Sequence, residues 1–234
     1  MNDFGVAFAT AAHLLAAFDP ALVEIVTLSL EVSLAATLLA TILGLPLGAA
    51  VAVYRFPGRA LVTALLNAFM GLPPVVVGLA VYLLLSRAGP LGDLGLLFTP
   101  TAMVIAQGIL VIPIIAALTR QTVADLHGEY RDELDSLGAS GFDTIGVLLR
   151  DGRFSLLTAI LAGLGRAVAE VGAVIIVGGN INHVTRVMTT TITLETSKGN
   201  LPLAMALGII LVSLTLAINL AALGVRRIAE ARYG

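Results

Sequence analysis

The 234-residue chain contains no cysteine and no tryptophan. Without cysteine it forms no disulfide, performs no thiol chemistry and offers no thiolate to a metal. With four tyrosines and no tryptophan, little is left from which to build an aromatic belt at a membrane surface. Charge is scarce as well: Asp, Glu, Lys and Arg make up 12% of the chain, against roughly a quarter in an ordinary globular domain. The single lysine, Lys198, is followed by Gly199. A phosphate-binding Gly-x4-Gly-Lys-Ser/Thr loop needs a hydroxyl after its lysine, so this chain cannot supply one. Residues 1–54 hold neither Lys nor Arg, which removes the positive start of a secretory signal peptide. Histidine occurs at 13, 127 and 183 only, outside the clear apolar runs and without an HExxH pattern. Ser140 sits in a GASG stretch that no strand precedes, unlike a nucleophile elbow. Hydrolytic and metal-dependent enzymes are poor readings.

What remains is apolar: 58% of residues are hydrophobic. A soluble protein of this balance could not cover its surface, so the expected solvent is the bilayer. A spanning helix needs roughly 20 mostly apolar residues, and five stretches qualify, at about 23–53, 61–86, 99–122, 154–179 and 201–224. The first would reach roughly 45 Å, with Gly44, Pro46 and Gly48 placed to bend it. The second holds GLPPVVVGL at 71–79. Pro73 and Pro74 remove backbone donors and should break or kink that helix. Either a packing kink or a bend facing a water-filled path fits. Ahead of the first span, Phe4, Phe8, Ala11, Leu15 and Phe18 fall on one helical face, which suits an interfacial helix or a loosely ordered start.

Basic residues set the expected topology. With the N-terminus outside, Arg55, Arg59, Arg120, Arg131, Arg150, Arg153, Arg226, Arg227 and Arg232 fall inside. Arg87, Arg186 and Lys198 fall outside, and Arg166 lies within the fourth span. Nine against three predicts an N-out, C-in, all-α multi-pass protein of the cell (inner or plasma) membrane. No internal repeat, low-complexity tract or soluble domain is visible, so residues 1–234 read as one membrane domain.

The least membrane-like stretch is RDELDSLGASGFDTIGVLLRD, residues 131–151, with five acidic residues beside Arg131 and Arg150. It lies in a loop of about 123–153 that falls on the cytoplasmic side. Ala124–Leu137 should form a helix, with Asp125, Glu129, Asp132 and Glu133 in its early turns. Leu126, Tyr130, Leu134 and Leu137 are spaced to share a face. Gly138 stands where the helix should stop with positive φ, and a short helix over 142–149 should follow. A helix–Gly–helix corner of this kind is either a docking shape or a solvated connection.

The order D-E-L-D-S-L-G-A-S-G resembles the cytoplasmic "EAA" loop of ABC-transporter importer permeases. Asp132 stands at the Glu position of that motif, Glu133 and Leu134 at its two Ala positions, and Gly138 at its Gly. Leu137, Ala139 and Ser140 match the usual neighbours of that Gly. Leu148 stands at the Ile that follows about nine intervening residues, whereas Arg150 and Asp151 depart from the expected Leu-Pro. GRAVAEVGA at 165–173 is similar to a motif of molybdate- and tungstate-type permeases, and GLPPVVVGL resembles their second-span proline motif. VGGNINHVTRVMTTTITLETSKGN, 177–200, is most similar to the tungstate type.

The resemblance implies a non-enzymatic permease subunit with five transmembrane helices and a cytoplasmic EAA-type coupling helix. ATP and Mg would be bound by a separate ATPase subunit docked on the 124–149 loop, with Asp132, Glu133, Leu134, Leu137, Gly138, Ala139 and Ser140 as its coupling residues, and this chain would hold no cofactor or metal. The other implied partners are a second copy of the chain, an oxyanion-binding protein outside, and membrane lipid; no nucleic acid is expected. The implied cargo is tungstate, with molybdate, sulfate or phosphate as alternatives. An ATP-independent secondary transporter is the reading from a different class, though such proteins more often show internal repeats.

Ionisable groups at membrane depth usually face a bundle interior or an aqueous cavity. Arg166 and Glu170, four apart, would pair on one helix face, either as a register-holding ion pair or as gating residues. Glu24 and Glu31 near the start of the first span would meet a delivering protein or cap other helices. Hydroxyls and amides crowd 180–200, and neutral donors can hold an oxyanion weakly enough to let it leave. Thr189, Thr190 and Thr191 are the expected pathway lining, with an ordinary polar loop as the alternative. Arg186 and His183 would draw an anion or contact a partner protein.

Overall fold

A computed structural model of the chain describes residues 2–233, apart from the side chains of residues 2–4, 6–8, 15, 226 and 228–233. Its ordered elements are helices: α1 (Asn2–Ala16), α2 (Pro20–Val53), α3 (Arg59–Phe69), α4 (Pro74–Leu85), α5 (Pro100–Ser136), α6 (Gly141–Asp151), α7 (Arg153–Val168), α8 (Gly172–Gly178), α9 (Met188–Ser197) and α10 (Leu201–Tyr233), with a single 3-10 turn at Gly92–Leu94. Three of them, α2, α5 and α10, are long and apolar enough to cross a membrane. Two bent pairs, α3 with α4 and α7 with α8, bring the number to five if each counts as one span.

The breaks have separate causes. In the second expected span, Pro73 is the N-cap of α4 and Pro74 its first residue, the position where a missing N–H costs nothing. The fourth expected span stops at Val168 and restarts at Gly172, a break that no proline announces. By contrast, α2 is assigned as one helix through Gly44, Pro46 and Gly48. The third span also differs from expectation. It does not end near 122 but continues as α5 to Ser136, because residues 123–136 are good helix formers and surface charge does not terminate a helix.

The chain divides into two compact units. One comprises Met1–Ala36, Pro73–Gln107 and Ala167–Ala217. Within it α4 lies against α8, and a Cβ placed on Gly78 would come 2.8 Å from the Cα of Ala173. A second contact region joins Ala11, Leu22, Ile25, Met188, Ala206 and Leu207. The expected apolar face of α1 is thus packed inward at Ala11, whereas Phe18 is exposed; the Phe4, Phe8 and Leu15 side chains lie outside the described residues.

The other unit comprises Thr37–Leu72, Gly108–Arg166 and Ile218–Gly234. Here α2 and α5 approach so closely that a Cβ on Gly48 would overlap the carbonyl oxygen of Ala116 and lie 2.8 Å from Thr119 Cβ. Small residues at such crossings let helix backbones meet, which is how helices associate where the solvent itself is apolar. The end of α2 is closed by Arg59, whose Nε donates to the Val51 carbonyl at 2.8 Å and Nη2 to that of Ala52 at 2.7 Å. This satisfies carbonyls that a helix C-terminus otherwise leaves open, with a cation where the helix dipole favours one.

Candidate functional site

Two regions of the chain carry most of its polar chemistry. The first is the corner between α5 and α6. Gly138 has φ +67°, as its place after a helix predicts. Ala139 N–H donates to the Leu134 carbonyl at 3.0 Å and Gly138 N–H to that of Asp135 at 3.1 Å, the two bonds of a Schellman turn. Two residues on, Ser140 caps α6. Its hydroxyl accepts from the Asp143 N–H at 3.3 Å, and the Asp143 carboxylate accepts from both the N–H and the hydroxyl of Ser140. These two hydrogen bonds from Ser140, the side chain's first, hold the Asp143 carboxyl below its ordinary range. A depressed carboxyl pKa adds stability at pH values above the unfolded one, and that increment fades as pH falls through the folded value. Replacing Ser140 by alanine should loosen the first turn of α6, read as an approximately fivefold faster amide exchange there.

The apolar face anticipated on this corner divides. Leu134 is buried with Ala49, Ala52, Val123 and Leu148, and Leu126 and Tyr130 pack onto the same cluster. Leu137 is instead 81% exposed, and Phe142 beyond the turn is 80% exposed. Leu137 N–H still donates to the Glu133 carbonyl at 3.1 Å, but the cluster that takes in Leu126, Tyr130 and Leu134 does not take in Leu137. Asp132, Glu133 and Gly138 are exposed around it, while Ala139 is half-buried. A groove of about 530 Å³ runs alongside, lined by Tyr130, Glu133, Leu137, Val147, Arg150 and Asp151 among others. Acidic neighbours, Asp151 foremost and then Glu129, raise the pKa of the Tyr130 phenol. The corner therefore presents two large apolar side chains inside a rim of mixed charge.

The second region surrounds the break before α8. Glu170 is buried and lies past the end of α7, so it is not on one continuous helix with Arg166 as the spacing suggested. Its Oε1 accepts from Ala173 N–H at 3.0 Å, a carboxylate satisfying the start of α8. Its main-chain carbonyl accepts from the Thr189 hydroxyl at 2.7 Å. Arg166 is half-buried in the last turn of α7. The break has a further support that sequence reasoning missed: Gln107 Nε2 donates to the Ala167 carbonyl at 3.1 Å. A lone amide in the apolar run VIAQGILV was the available signal.

The hydroxyls of 189–191 do not face outward. All three threonines are buried. Thr189 donates to Glu170, Thr190 is within reach of the Asn180 side-chain oxygen (3.0 Å) and the Val187 carbonyl (3.1 Å), and Thr191 donates to that same carbonyl at 2.7 Å. Buried threonine resolves its polarity by bonding to nearby backbone. Ser29 of α2 takes part as well, accepting from Met188 N–H at 2.7 Å and donating to the Ile25 carbonyl at 2.6 Å. Glu24 pairs with His183 across 2.8 Å. Near the end of α9, buried Glu195 accepts from Lys198 Nζ at 3.0 Å and from Asn200 Nδ2 at 2.8 Å.

Residues 44–234 match the family model described as "Binding-protein-dependent transport system inner membrane component". The chain belongs to this family. It is accordingly a membrane-embedded permease subunit with no enzymatic activity of its own. Among relatives, it is 45% identical over 210 residues to a probable anion ABC transporter permease protein of Haloferax volcanii, covering 88% of this chain and 90% of that one. It is 41% identical over 219 residues to the tungstate uptake system permease protein TupB of Peptoclostridium acidaminophilum, covering 94% and 96%. The fold matches a chain from inward-facing structures of the MetNI methionine ABC transporter, with a TM-score of 0.74 at 19% identity over 91% of this permease and 96% of that chain.

Proposed function

We propose that the chain is the membrane path of an ATP-driven importer for an oxyanion, with tungstate as the cargo. The observation that carries the cargo is the 41% identity, over nearly the full length, to a tungstate uptake permease. The anion permease of Haloferax volcanii agrees in charge class. Two copies would enclose one path, with the N-termini outside and the 123–153 segments in the cytoplasm, as the distribution of arginine favours.

An ATPase subunit would dock on Asp132, Glu133, Leu134, Leu137, Gly138, Ala139 and Ser140. Leu137 and Phe142 would be the apolar anchors and Leu134 the internal support. A binding protein would deliver the anion to the opposite face. Around the path, Pro73 and Pro74 would set the break of the second span, and Arg166 and Glu170 that of the fourth. Glu170 and Thr189–Thr191 would act by fixing the shape of the gate, since the bonds described above already engage the carboxylate and the three hydroxyls. That is a different role from direct ion ligation.

The test is uptake into proteoliposomes holding the permease, its ATPase and its binding protein. Tungstate should accumulate only with ATP enclosed on the ATPase side. Uptake without ATP, driven by an ion gradient, would replace this reading with that of a secondary transporter.

A further inference from the structure

We infer that Arg186 is the side chain that receives the anion at the mouth of the path. The inference rests on the oxyanion reading above. The segment between α8 and α10 contains three side chains able to carry positive charge: His183, Arg186 and Lys198. Two are engaged. His183 is bonded to Glu24, and Lys198 to Glu195. Arg186 is half-buried immediately before α9, and its Nε is shielded from solvent with no hydrogen-bond partner.

A shielded, unpaired donor on a charged group carries a desolvation cost that a ligand acceptor would remove. The guanidinium fork also matches two oxygens of a tetrahedral oxyanion. The three threonines that sequence reasoning placed in this role have their hydroxyls engaged within the protein, so the chemistry falls to Arg186.

The test uses the complete complex in proteoliposomes, with tungstate-loaded binding protein outside and ATP within. Two signals are read: tungstate uptake, and ATP hydrolysis stimulated by the binding protein. Arg186→Gln should lower the uptake rate about tenfold while stimulated ATP hydrolysis persists, and Arg186→Lys should recover part of the uptake. Wild-type uptake in Arg186→Gln would overturn the inference. A parallel loss of uptake and of stimulated hydrolysis would overturn it too, assigning Arg186 to binding-protein docking or to the fold. Failure of the wild-type complex to import tungstate, molybdate or sulfate would remove the oxyanion reading itself, a result that needs no variant.

Discussion

Replacing Leu137 and Phe142 together by aspartate is expected to abolish capture of the ATPase subunit while leaving the permease folded in the membrane. Both side chains are about four-fifths exposed, so the folded chain loses little when they go. In an interface, two buried apolar anchors of this size are each worth about 2 kcal/mol or more. Their loss together would weaken docking on the order of a thousandfold. The aspartates add a desolvation cost in a rim that already holds Asp132, Glu133 and Asp135.

The measurement is co-purification of the ATPase with the detergent-solubilised permease, alongside the permease's own elution profile. Leu134→Asp is the contrast. Leu134 is buried with Ala49, Ala52, Val123 and Leu148, so that variant should lose the folded permease as well. Undiminished ATPase capture by the double variant would show that the corner is only a connection between helices.

The second large effect is at Gly48. Gly48→Ala should lower the yield and thermal stability of the solubilised permease, with a cost of about 1–3 kcal/mol or higher. The new Cβ would meet the carbonyl oxygen of Ala116 and the Cβ of Thr119. The nearest obstacle is backbone, which cannot rotate aside as a flexible side chain can. Relief would require α2 and α5 to separate within their unit and to open the contacts beside them. Gly128→Ala is the control. Gly128 lies inside α5 with nothing near a new Cβ, and alanine there should be neutral or stabilising by about 1 kcal/mol. Equal melting behaviour of the two variants would contradict the close approach at Gly48.

Much of this architecture was legible because the bilayer limits the choices. Long apolar runs in a bilayer form helices, and the Pro73-Pro74 pair favours a helix start. Gly138 was legible for a similar reason, since a helix ending in Leu-Gly-Ala calls for positive φ at the glycine. The outward turn of Leu137 was not. Spacing assigned it to the same face as Leu126, Tyr130 and Leu134, but the cluster that takes in those three does not take in Leu137.

The break at Glu170 was hidden because AVAEVGA is compatible with an uninterrupted helix. It is held open by tertiary partners, Gln107 and Thr189, that lie far away in sequence. The burial of the threonines was hidden for the opposite reason. A cluster of hydroxyls reads as polar surface, yet each of the three finds an acceptor inside the protein. Ser29, one of five hydroxyl residues along α2, gave no sign that it would meet the start of α9.

The most direct test of the importer reading is the tungsten content of cells with and without this chain, by elemental mass spectrometry. Tungstate and molybdate would be supplied together at nanomolar levels. The account predicts that tungsten accumulation is lost when the chain is removed and returns with the wild-type chain but not with the Leu137/Phe142 aspartate variant. Tungsten accumulation that is unchanged without the chain would contradict it.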